Sequence, residues 1–191
     1  MSARRGFTLI ELLVTVGIIA LLAAIAIPNL LEAQVRSKVA RVKNDMRAIA
    51  TALEAFHADK RRYPEVIPPA EEIEMGGGWL LKPLTTPVAY LSSIPPDLFL
   101  PAAEPEALMP PEGRYSFIYT SYPIPPDPAK IWSLASNGPN LRCDTWGIYK
   151  GYSPRLFFGG DPELKDWALY DPTNGAISRG DIFRGQDFIM P

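Results

Sequence analysis

The sequence predicts an α+β protein: one long N-terminal helix, apolar in its first half and amphipathic in its second, packed on a small antiparallel β-sheet head. Three observations carry that expectation. Sixteen apolar or small residues follow Glu11 and end at Pro28. A helical stripe of apolar residues then continues to Phe56, and stretches rich in aromatic and β-branched residues appear only from Tyr115 onward.

The first element begins Arg4-Arg5-Gly6-Phe7-Thr8-Leu9-Ile10-Glu11. A run of about 20 apolar residues is enough to cross a bilayer as a helix. A carboxylate at membrane depth costs at least ~2.5–3.5 kcal/mol, so Glu11 should have a partner. Arg4 and Arg5 sit beyond the apolar boundary, on the side expected to be cytoplasmic, and the carboxylate is therefore expected to meet another molecule. From Val35 the apolar residues fall at Val35, Val39, Val42, Met46, Ile49, Leu53 and Phe56, in alternating steps of four and three. That is one helical stripe, with Arg36, Lys38, Arg41, Lys43, Asn44, Asp45, Arg47 and Glu54 on the wet side. Phe7 to Ala58 is expected to form a single helix of roughly 75 Å. Pro28 removes the bond to the Ala24 carbonyl and should kink or loosen that helix. It reads either as a bend at the membrane interface or as a point of local melting, with Gly17 a second weak position.

Tyr63-Pro64 should end the helix, because the residue before proline is pushed out of the helical region. Fifteen of the 21 prolines lie between Pro64 and Pro128, which forbids regular helix or central strand over most of that stretch. Trp79, Leu80, Leu81, Leu84, Tyr90, Leu91, Leu98 and Phe99 lie within it, so it is expected to wrap the long helix. Gly76-Gly77-Gly78-Trp79-Leu80-Leu81-Lys82-Pro83-Leu84 reads as a loop entering a short helix. Strands are expected at Tyr115–Tyr122 and Ile131–Ser136. A hairpin is expected where Ala168-Leu169-Tyr170 passes through Asp171-Pro172-Thr173-Asn174-Gly175 into Ala176-Ile177-Ser178, since Asn-Gly between short strands is a strong hairpin signal. The total is three or four antiparallel strands.

Enzyme motifs are absent: there is no Gly-rich phosphate loop, no zinc spacing and one histidine, His57. That imidazole lies at the helix end, where it can meet the last carbonyls. The net charge of −2 gives no basic footprint for nucleic acid. The lone Cys143 rules out an intramolecular disulfide and reads as a small buried residue.

Gly6-Phe7-Thr8-Leu9-Ile10-Glu11 followed by Leu12-Leu13-Val14 resembles the class III signal and first helix of type IV pilins and type II secretion pseudopilins. An ordinary secretory signal has a 7–15-residue apolar core before a small-residue cleavage site; here the leader is short, the run is longer, and Glu11 would sit inside it. A plain single-pass anchor that merely tolerates Glu11 is the other bland alternative. The resemblance implies that a prepilin peptidase cuts after Gly6 and N-methylates Phe7. It also implies that Glu11 registers each subunit against its neighbour's amino terminus, and that Pro28 serves as a kink or melting point. It divides the chain into a leader at 1–6, a transmembrane or filament-core helix at 7–28, its amphipathic continuation at 29–62, and a Pro-rich wrap with the sheet head at 63–191. Loss of Arg4 and Arg5 takes the 19 basic residues to 17 against 21 acidic ones, a net charge of −4.

Ser133-Leu134-Ala135-Ser136-Asn137-Gly138 is similar to the Ser-Leu-Gly-x-Asp-Gly stretch that begins a calcium loop in major pseudopilins. Calcium takes six to eight oxygens, and Asn137, Asp144, Asp171, Asn174 and Asp181 are candidates, with Asn137, Asp171 and Asp181 foremost. Two departures stand against it: asparagine replaces the family's aspartate, and the acidic Gly-rich run that follows is missing. Asp and Asn beside Gly or Pro also read as ordinary turn chemistry. Trp132, Trp146, Trp167, Tyr149, Tyr152 and Tyr170 form either core or a stacking surface. The expected function is a non-enzymatic pseudopilin of type II secretion that needs no cofactor. Its expected partners are copies of itself, other pseudopilins, the peptidase and an inner-membrane assembly platform. The precursor is expected to be single-pass in the inner membrane with its head outside the cytoplasm, ending in a periplasmic or surface filament. A type IV pilin for adhesion, motility or DNA uptake is the alternative, and a membrane-anchored ligand-binding module a second.

Overall fold

The computed structural model describes residues 6–65, 78–100, 117–122, 131–142, 169–171, 173 and 180–185. One helix, α1 (Leu9–Lys60), runs for 52 residues, roughly 78 Å at 1.5 Å per residue. It starts two residues later than expected because Thr8 is its N-cap, extended at φ −87° and ψ 151°. It passes Pro28 without interruption, so the missing bond to Ala24 does not break the helix.

The lower end stops at Lys60, before Tyr63-Pro64. Arg61 takes a left-handed cap (φ 59°) and its amide donates to the His57 carbonyl at 2.8 Å. The turn lets Tyr63 fold back: its ring stacks on His57 at 4.5 Å and its side chain is buried. The Tyr63 hydroxyl donates to Glu54 Oε2 and the Trp132 indole to Glu54 Oε1, each at 3.0 Å. One carboxylate thus ties the helix, the chain leaving it and the sheet.

The sheet has three antiparallel strands in the order β1 (Ile118–Tyr122), β2 (Ile131–Ser136) and β3 (Ile182–Gly185). Tyr119 faces Leu134 across β1 and β2, and Ser136 faces Ile182 across β2 and β3. Tyr115 and Ser116 lie outside the described residues, as does most of the expected hairpin. Of its first arm Leu169 and Tyr170 are described, and Leu169 forms an isolated parallel bridge to Asp181. Among the described residues the third strand is Ile182–Gly185, whose short Ile-Phe-Arg-Gly run carries little alternation to read.

The stripe read from the sequence is the core. Val39, Val42, Met46, Ile49, Leu53 and Phe56 are buried, with Val35 packed partly against them. Phe117, Tyr119, Trp132, Leu134 and Ile182 close on them from the sheet side. The Tyr119 hydroxyl donates to the Pro64 carbonyl at 2.8 Å, and burial pushes its pKa up. A 3-10 helix at Gly78–Leu84 supplies Leu80, Leu81 and Leu84 to the same core, as the glycine-rich approach predicted. The wrap is pinned at Tyr90, whose ring meets Phe56 edge-on at 5.5 Å and whose hydroxyl donates to Asp59 at 2.5 Å.

Leu53 is fully buried in the middle of this cluster. Leu53→Ala is expected to destabilise the head by about 2–5 kcal/mol, measured as a shift of the chemical denaturation midpoint of the detergent-solubilised protein.

Candidate functional site

The N-terminal junction is built by α1's own start. Gly6 and Phe7 precede the helix and are exposed, Phe7 by 71%. Glu11 stands three residues after the N-cap, and the two form a capping box: the Thr8 amide and hydroxyl donate to Glu11 Oε2 at 2.9 and 2.7 Å, and the Glu11 amide donates to Thr8 Oγ1 at 3.3 Å. Such a box satisfies two orphan donors of a helix start at once. This corrects the expectation that Glu11 has no partner within its own chain. The signal was present in Thr8-x-x-Glu11, and the membrane reading of the carboxylate hid it.

Between Leu9 (81% exposed) and Leu31 (56% exposed), no large apolar side chain of α1 is covered by the head. α1 is the one helix among the described residues long and apolar enough to cross a membrane. So large an exposed apolar surface requires lipid or neighbouring subunits around it.

Around Gly138 and Gly180, three segments converge. Gly138 and Gly180 both have positive φ, 67° and 95°. A Cβ on Gly138 would lie 2.7 Å from the Gly180 carbonyl oxygen, and one on Gly180 would lie 2.4 Å from the Leu169 backbone. The Tyr170 amide donates to the Asp181 carbonyl at 3.0 Å. Glycine is needed here for both conformation and close approach. Asn137, Asp181 and Tyr170 are therefore brought close through their backbones.

Of the oxygens expected to ligate calcium, those of Asp171 are engaged locally. Asp171 Oδ1 accepts from the Thr173 amide at 2.8 Å and its hydroxyl at 2.7 Å, an Asx turn. Those bonds lower the Asp171 pKa. Among the described residues no three His, Cys, Asp or Glu side chains lie close enough to hold a metal ion. Asn137 Oδ1 is buried without a hydrogen-bond partner, but one amide oxygen falls far short of calcium's needs. Asp144 and Asn174 lie outside the described residues, as does Cys143. Trp132 and Tyr170 belong to the core, which removes them from any stacking surface. Trp146, Trp167, Tyr149 and Tyr152 lie outside the described residues.

Sequence reading missed Asp97. It is buried in the wrap, and its Oδ1 accepts from the Phe99 amide at 3.0 Å and the Ser136 hydroxyl at 2.8 Å. The wrap is thereby latched to the end of β2. Burial raises the Asp97 pKa above the ordinary 3.8, against lowering by the Phe99, Ser136 and Asn137 donors. A raised folded value means that this carboxyl favours the folded head below 3.8 and that its contribution fades as pH climbs through the raised value. Asp97→Asn is expected to remove that component, so a plot of melting temperature against pH flattens above 3.8 relative to the unsubstituted protein. Identical slopes for the two proteins would contradict the assignment.

Residues 1–27 match the family model described as the prokaryotic N-terminal methylation motif. The type IV major pilin protein PilA of Myxococcus xanthus is 51% identical over 61 residues, 32% of this chain and 28% of that protein. The type II secretion system core protein G of Klebsiella pneumoniae is 29% identical over 149 residues, 78% of this chain and 86% of that protein. Core protein G of Pseudomonas aeruginosa is 41% identical over 61 residues, covering 32% of this chain and 43% of that protein. No solved structure matches the chain. With the methylation motif placed at the head of a half-bare helix and a small sheet closing the other half, the chain is similar to type IV pilins at its N-terminal helix and to type II secretion pseudopilins over most of its length.

Proposed function

We propose that the chain is a structural filament subunit, a pseudopilin of a type II secretion system. The observation that carries this reading is the extent of the likeness to core protein G of Klebsiella pneumoniae, which runs through 86% of that relative and so includes the head. The likeness to PilA is stronger residue by residue but covers 61 residues. A type IV pilin is the second reading on that account.

In this proposal the exposed Gly6–Phe7 peptide is the processing point, because a protease needs an extended, accessible backbone and α1 begins only at Leu9. A prepilin peptidase cleaves there and methylates Phe7. The precursor rests in the inner membrane with its head outside the cytoplasm. Its bare apolar half then moves from lipid to the packed helices of neighbouring subunits on an assembly platform. Pro28 marks where that helix gives first, since it lacks the bond to Ala24.

Glu11 supplies the register. In the isolated chain it is satisfied by Thr8. In a filament it exchanges those neutral donors for a neighbour's charged amino terminus, which adds an ion pair to bonds already strengthened by the carboxylate's charge. A subunit out of register leaves the carboxylate among apolar side chains, which is expensive. The reading requires no cofactor and no catalytic group.

Two measurements test it. Deleting the gene should remove a defined set of proteins from the medium and leave surface pili intact; loss of pili with secretion unchanged would favour the type IV pilin reading instead. Glu11→Val should be cleaved normally, yet cut the filament yield at least about ten-fold, the equivalent of the ~1.4 kcal/mol that one lost charge-assisted bond exceeds. Normal filament yield from that variant would sink the register argument.

A further inference from the structure

We propose that Arg36, Lys38 and Arg41 form a basic collar that docks α1 on the anionic headgroups of the membrane face from which the head projects. The inference rests on α1 crossing a bilayer. The stretch from Leu12 to Leu31 contains no charged residue, and its roughly 30 Å length matches the hydrocarbon core of a bilayer. In that frame Glu11 marks one edge of the core and Glu32 the other. Arg36, Lys38 and Arg41 then stand roughly 7, 10 and 15 Å beyond Leu31. A headgroup layer adds about 5–8 Å on each side, and charges act over ~8 Å at physiological salt. All three residues are therefore within the field of charged headgroups, and all three are exposed.

Their placement round the helix favours a surface over a protein partner. At about 100° per residue, Lys38 and Arg41 lie about 160° and 140° round from Arg36. Val39 and Val42, buried against the head, take the sector between. A protein docked on one face would reach one side of this set, whereas a bilayer surface surrounds the helix and meets both. The local acids do not cancel the collar. Arg36 pairs with Glu32 at 2.5 Å and Arg41 with Asp45 at 3.8 Å, and both arginine side chains remain 67% exposed. Exposed pairs of this kind are weak, and a guanidinium keeps further donors for phosphate, which it can grip with two parallel bonds. Lys38 makes no ion pair among the described residues. Lys43 is turned toward the Tyr170 ring, 5.8 Å from its centroid, and stands outside the collar.

The collar has a positional consequence. Holding residues 36–41 at one membrane face fixes the depth of α1, and with it keeps Glu11 at the opposite edge of the core until the subunit is withdrawn. It also gives the outward basic residues an attachment that opposes the usual preference for positive charge on the cytoplasmic side.

The test uses the full chain with Cys143→Ser and a nitroxide on Ala33→Cys, reconstituted in vesicles of phosphatidylcholine alone or with a minority of phosphatidylglycerol. Power saturation reads depth. In the phosphatidylglycerol vesicles the label is expected to lose about two-fold in accessibility to a neutral nickel chelate, as the polybasic segment is drawn to the surface. High salt and the triple variant Arg36→Gln/Lys38→Gln/Arg41→Gln should each abolish the difference. Equal accessibility in both vesicles overturns the collar, as does a difference that survives the triple variant or appears only at protein densities where copies associate. A second label on Ala20→Cys separates this from the parent reading: if it is not buried in lipid in either vesicle, the spanning helix itself fails.

Discussion

The packing of one face of α1 against the sheet is the interaction on which the rest depends. Val39, Val42, Met46, Ile49, Leu53 and Phe56 bury a narrow stripe of a helix whose first half buries nothing within the chain. The head holds α1 only from Val35 onward, so the rod projects by its whole apolar half. A projecting helix of that length in water would be a severe aggregation hazard, since no tertiary contact covers its side chains. Lipid and a bundle of like helices are the two environments that relieve it. The change from bare rod to one-sided stripe therefore has a mechanical meaning: the same helix belongs to two different solvents, and the head is the counterweight that keeps its second half in water.

Much of this was legible because periodicity is a strong signal over long stretches. The stripe from Val35 to Phe56 supplies all the large side chains of the helix side of the core, Ala50 and Ala52 filling in beside it, and β2 spans the Ile131–Ser136 alternation. Legibility failed where structure is decided by contacts distant in sequence. Nothing local marks Ile182–Gly185 as a strand; it pairs because β2 presents an open edge to it. The helix stop moved from Tyr63-Pro64 to Lys60 because burying Tyr63 against His57 and Glu54 demands a turn beforehand. Asp97 read as a loop carboxylate, and its latch to Ser136 spans 39 positions. At the junction the error was of another kind. Glu11 lies both in an apolar run and three residues after Thr8, and the nearer of the two contexts decides its partner.

That pairing matters for how assembly is driven. A carboxylate with no partner would make every unassembled subunit costly, and Glu11 would be drawn to any cation it met. The capping box removes that cost in the free chain. The gain on joining a filament is then the difference between Thr8's neutral donors and a charged amine, a modest favourable step instead of a rescue. Modest steps are reversible ones. Discrimination comes chiefly from the wrong alignments, because withdrawing Glu11 from Thr8 without supplying an amine strands a charge in an apolar bundle. In the proposed filament, register would be enforced by the expense of error more than by the reward for success.

The three segments around Gly138 and Gly180 serve a comparable economy. Gly138, Gly180 and the Leu169 backbone approach so closely that side chains are excluded between them, and Asp97 secures the wrap at the same end of β2. Buried hydrogen bonds and glycine contacts demand a defined geometry, where apolar packing alone would tolerate shifts. A small head with thin hydrophobic cover would in this way keep one shape in the proposed withdrawal of its helix from lipid, because these bonds and close approaches fix its loops more tightly than apolar packing alone. At the other end of the amphipathic half, Tyr63 and Trp132 fasten helix to exit chain and sheet through Glu54.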